Sequence, residues 1–115
     1  MTKEYKYNTY EEAMRAVRWC GSTLRHVHPN LITPEMAMMA VKDWGHNLRH
    51  VREDLITLKM ALVAVKDWGG YLEFVPVHLQ TQEVIEAALK QDPKAKEFIK
   101  VKGLIMNALE EALSE

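Results

Sequence analysis

An all-α fold, built as a short stack of helical repeats, is what this chain of 115 residues predicts, and three observations carry the expectation. The hexapeptide Ala-Val-Lys-Asp-Trp-Gly is written twice, at 40–45 and again at 64–69. Threonines stand at 9, 33, 57 and 81, always 24 positions apart. Aligning the chain on them stacks Ala16, Ala40, Ala64 and Ala88, then Gly21, Gly45, Gly69 and Pro93, then Val27, Val51, Val75 and Ile99. A fixed period of roughly 20–50 residues marks architectures whose units bury their apolar faces only by stacking on one another.

Four units follow from the period, at about 9–32, 33–56, 57–80 and 81–102, and 103–115 remains as a closing segment; all belong to one domain over 1–115. Each unit reads as two helices. Its threonine is a natural N-cap, because the hydroxyl accepts from an amide of the first turn that has no partner within the helix. Thr9-Tyr10-Glu11-Glu12 also fits a capping box, and Pro34 stands at a first helical position where a missing N–H costs nothing. Ala37, Ala40, Val41 and Trp44, like Ala61, Ala64, Val65 and Trp68, recur at helical spacing and predict a buried stripe. Gly21, Gly45 and Gly69 are expected to end these helices in the left-handed conformation. A shorter turn of helix should then carry Leu24, Leu48 and Leu72 inward before the next cap. The fourth unit loses its glycine to Pro93 and its leucine to Lys96, as suits the end of a stack. Beyond it Leu104, Ile105, Ala108, Leu109 and Ala112 form an amphipathic pattern, expected to be a C-terminal capping helix.

The run AVKDWGHNLRHVREDLIT, followed by LKMALVAVKDWGGYLEFVPVHLQTQEVIEAALKQD, resembles the tandem repeats of a bacterial and viral family known as domain of unknown function 4116. The resemblance covers 9–92 and rests on the alanines, the glycine and the leucines. It implies an α-helical repeat and brings no catalytic residue across. The threonine caps and the tryptophans depart from that family's usual pattern.

Composition narrows the function classes. Hydrophobic residues make up 48% and charged residues 27%, an ordinary globular balance. No apolar run approaches the roughly 20 residues a bilayer requires, and the N-terminus lacks the apolar core of a secretory signal. Cys20 is the one cysteine, which excludes an internal disulfide and suits a reducing setting, the cytoplasm. Net charge is −1, from 15 basic and 16 acidic side chains, against the clearly basic balance expected when phosphate neutralisation dominates binding. Neither a phosphate-binding glycine loop, a nucleophile elbow nor a zinc-protease motif occurs. The expectation is a non-enzymatic protein-interaction module, monomeric, without cofactor, metal or membrane. A small stand-alone stack also suits an adaptor or inhibitor carried by a phage or other mobile element.

Several residues compete for a role in such a surface. Trp19 falls in a column otherwise held by Asp43 and Asp67, so it is expected to be exposed, near Arg18 and Arg25. With His46 and Arg49 these form the predicted partner-binding set, since Arg25 and Arg49 give way to Glu73 and Glu97 farther along. Trp44 and Trp68 continue the apolar stripe and are expected in the core, with Cys20 buried in the same column. His26, His28 and His50 would offer imidazoles to a metal, but His26 and His50 align with Phe74 and Phe98, which favours packing. The alternative function is nucleic-acid binding along Arg18, Lys42, Lys66 and Lys90; the same cations also complement the negative ends of helix dipoles.

Overall fold

The computed structural model describes residues 5–100, and every regular element among them is helical. Four ten-residue α-helices, α1 (Tyr10–Trp19), α2 (Pro34–Asp43), α3 (Leu58–Asp67) and α4 (Gln82–Gln91), each begin 24 residues after the one before. The threonines start them as expected. Thr9 Oγ1 accepts from Glu12 N at 3.2 Å, Thr33 from Met36 N at 3.2 Å, Thr57 from Met60 N at 3.2 Å and Thr81 from Val84 N at 3.3 Å.

The helix ends differ from the expectation. After α1 to α4 the backbone of Cys20, Trp44, Trp68 and Asp92 swings into the extended region, with φ between −151° and −156°. None of Gly21, Gly45 and Gly69 adopts a left-handed conformation. Each instead opens a six-residue 3₁₀ helix: Gly21–His26, Gly45–His50 and Gly69–Phe74, matched in the fourth segment by Pro93–Phe98. The reason lies in the spacing Gly-x-x-Leu-x-x-Val. Side chains eclipse every third residue in a 3₁₀ helix, so Gly21 and Leu24, Gly45 and Leu48, and Gly69 and Leu72 share one buried line, and Val27, Val51 and Val75, the extended residues just past each helix, are buried after them. A three-residue 3₁₀ turn follows at Pro29–Leu31, Glu53–Leu55 and Val77–Leu79.

Glycine is required here by proximity. A Cβ on Gly45 would sit 3.0 Å from Asp67 Oδ2 and 3.1 Å from Ala64 Cα, and one on Gly69 would collide with the Ala88 carbonyl. Ala40, Ala64 and Ala88, all fully buried, provide the matching floor on the following α-helix. The close approach is sealed by a hydrogen bond that recurs along the chain. Gly21 N donates to Asp43 Oδ2 at 2.8 Å, Gly45 N to Asp67 Oδ2 at 2.8 Å, and Gly69 N to Gln91 Oε1 at 2.5 Å. An amide at the start of a helix has no acceptor inside that helix; the next α-helix supplies one, 22 residues on. Trp19 occupies the place in this acceptor column that Asp43, Asp67 and Gln91 hold in the later helices. Pro93 occupies the last place in the donor column and has no N–H.

Packing joins each segment to its neighbours: α1 to α2, α2 to α3 and α3 to α4, with the six-residue 3₁₀ helices stacked in the same order beside them. Both ends carry devices absent from the repeat pattern. At the N-terminal end Tyr7, 24 positions before Leu31, packs on the core and makes a parallel bridge with Val27, while Lys6 N and Tyr7 N donate to His26 O at 3.0 and 3.3 Å. At the other end Gln80 replaces the buried Ile32 and Ile56 of its column. Its carboxamide nitrogen contacts the carbonyls of Leu72, Val75 and Phe98 at 3.3, 3.3 and 3.1 Å, and its oxygen accepts from Lys100 N at 2.7 Å. The expected capping helix over 103–115 lies outside the described residues. No helix among the described residues is long and apolar enough to cross a membrane.

Candidate interaction surface

Trp19 is the last residue of α1 and 90% exposed, the most exposed large apolar side chain among the described residues. Asp43 and Asp67, at the equivalent places, face the preceding glycine amide, whereas the Trp19 side chain projects into solvent. It borders an open cleft of about 540 Å³ between the N-terminal segment, at Lys6 and Tyr7, and one stripe of α1, at Glu12, Arg15 and Ala16. Thr23 completes the lining. Lys6 Nζ lies 5.9 Å from the centre of the Tyr7 ring, a cation held against an aromatic face.

The other predicted binding residues divide between places. Arg18 lines a second, smaller groove of about 390 Å³, shared with Tyr10, Glu11, Met14, Arg15 and Glu35. Arg15 borders both grooves. Arg25 is exposed and its Nε donates to His26 Nε2 at 3.1 Å, which places a lone pair of that imidazole toward the guanidinium. His46 and Arg49 meet each other, Arg49 Nη1 standing 3.5 Å from His46 Nε2. They belong to an aromatic strip that spans the second and third segments. His46 stacks on Trp44 with centroids 4.5 Å apart and presents its edge to Tyr71 and Phe74 at 5.7 and 5.6 Å. Trp68 meets Tyr71 edge-on at 5.0 Å, and the Arg49 guanidinium lies over Phe74 at 5.9 Å.

Two expectations are corrected. Trp44 and Trp68 are 45% and 46% exposed rather than core residues, and Cys20, in their column, is an exposed free thiol. All three follow the last α-helical residue of their segments, where the extended backbone points the side chain outward. Trp68 holds its indole N–H toward Asp92 Oδ2 at 3.3 Å.

Lys42, Lys66 and Lys90 are exposed and, like Arg18, stand in the last turns of their helices, beside the carbonyl ends they complement. Among the described residues no three His, Cys, Asp or Glu side chains converge as metal ligands would. No family model, curated protein or solved structure matches this chain.

Proposed function

We propose that this chain is a non-enzymatic protein-interaction module: an α-solenoid of four 24-residue units, closed by a helix over 103–115, that acts as a monomer in the cytoplasm. Kinship with the domain of unknown function 4116 repeats belongs to the same reading and rests on the alanine, glycine and leucine columns. The observation that carries the binding role is Trp19, a tryptophan 90% exposed that lines a mostly apolar cleft. Exposing an indole is unfavourable, whereas tryptophan and arginine are the residue types most enriched where binding energy concentrates. Arg18 and Arg25 flank it in sequence, and His46 with Arg49 extends the surface along the aromatic strip.

Affinity capture from a lysate tests the reading, with wild-type protein set beside Trp19→Ala and Arg49→Glu. Partners recovered by the wild type and depleted in at least one variant are expected. Identical recoveries from all three baits would remove this surface from consideration. The rival role, binding nucleic acid along Arg18, Lys42, Lys66 and Lys90, predicts retardation of oligonucleotides at low salt that fades steeply toward physiological ionic strength. Net charge of −1 supports the protein partner over the nucleic acid.

A further inference from the structure

We infer that the cleft beside Trp19 takes an acidic peptide segment bearing a large apolar side chain. The inference rests on the interaction-module reading and names the class of partner. The cleft is lined by Tyr7, Ala16 and Trp19, which offer apolar and aromatic surface, and by two cations, Lys6 and Arg15. Among the described residues neither cation is in an ion pair. Glu12 is the single carboxylate of the lining. Charge along the chain points the same way. Residues 5–32 carry four Lys/Arg against two Asp/Glu, whereas 33–56 carry three against four, 57–80 two against two and 81–100 four against four. The excess of positive charge is thus local to the segment that holds the cleft.

Geometry makes the two features one site. Glu12, Arg15, Ala16 and Trp19 recur at helical spacing on a single face of α1, and the chain from Tyr5 to Asn8 runs beside that face, held by the Val27 bridge and the His26 carbonyl. An apolar side chain lying on Tyr7 and Ala16 against the indole would bring carboxylates a residue or two away within reach of Arg15 and Lys6. A guanidinium on a rigid helix is suited to grip a carboxylate through two parallel N–H donors. A polynucleotide is disfavoured in this cleft, because Glu12 stands within it and only two cations face the occupant.

Selection from a random dodecapeptide display library on the full chain tests the assignment. Enriched sequences should carry Asp or Glu within two residues of Trp, Phe or Leu. The best of them, made as a synthetic peptide and titrated by fluorescence anisotropy, should bind about 30-fold more weakly to Trp19→Ala. Affinity should fall about tenfold in Arg15→Glu and decline as salt rises. Lys59→Glu, an exposed charge reversal on α3, should leave it unchanged. Because Arg15 and Trp19 are exposed, circular dichroism should show both variants folded. Enriched peptides that are basic or lack acidic residues would overturn the inference. So would binding indifferent to Arg15→Glu, or Trp19-dependent binding of an oligonucleotide in place of peptides. Failure to enrich any peptide also overturns it, while Trp19-dependent capture of a folded protein from lysate would leave the broader interaction role standing.

Discussion

Asp67 shows how much a single residue can do between neighbouring helices. Its carboxylate ends one α-helix and satisfies the Gly45 amide that opens a 3₁₀ helix in the segment before, at 2.8 Å and partly out of water. Hydrogen bonds to a charged group contribute more than neutral ones, about 1.5–3 kcal/mol. Asp67→Ala should therefore lower unfolding free energy by that amount in urea titration, and Asp43→Ala by a similar amount through Gly21. Trp19→Ala, at the same place in the column but 90% exposed, should change stability by no more than about 0.5 kcal/mol. An Asp67→Ala protein as stable as wild type would mean that the bond merely replaces one to water.

At the scale of elements, what could be read in advance was what depends on local sequence. The threonine caps, the first-turn Pro34 and the buried alanines are each settled by residues a few positions apart, and the structure places them as the spacing implies. The 3₁₀ character of the second helices was also written locally, in the threefold spacing of Gly45, Leu48 and Val51, but a helical stripe of either kind satisfies so short a run. Trp44 and Trp68 were misplaced because the α-helical period was carried one residue past the point where the helix stops; in an extended residue the angle between side chains no longer holds. The cleft beside Trp19 was half legible. An indole in an aspartate column marks an exposed site, but Lys6 and Tyr7 reach it only because the N-terminal segment folds back along Val27. Gln80 escaped notice for the same reason, since its partners at Phe98 and Lys100 lie in the next segment. Gln80→Ile restores the apolar residue found at Ile32 and Ile56, yet it should destabilise. The Lys100 amide would lose its acceptor and the Phe98 carbonyl its donor, at about 1–3 kcal/mol. Thermal melting checks it; a Gln80→Ile protein with a higher melting temperature would show that apolar burial outweighs the polar latch.

At the scale of the whole molecule, the described segments are joined in one dimension, each touching the next. Opening in such an array starts where neighbours are fewest. Amides of α2 and α3, packed on both sides, should exchange with deuterium most slowly, and those of α1 and α4, each packed on one α-helix among the described residues, faster. Uniform protection from α1 to α4 would instead indicate a single indivisible unit. The same linear order gives Trp19 and Pro93 a joint consequence. Every inner joint uses one chemical pairing, an amide from one side and a side-chain oxygen from the other. A monomer bearing the free amide at one end and the free oxygen at the other would be bifunctional, and copies of it would propagate into a filament. Among the described residues the outermost places of the two columns break this pairing: Pro93 has no N–H to donate, and the Trp19 side chain has no oxygen to accept. A second copy set against either place could not reproduce there the amide-to-oxygen joint that holds the described segments together.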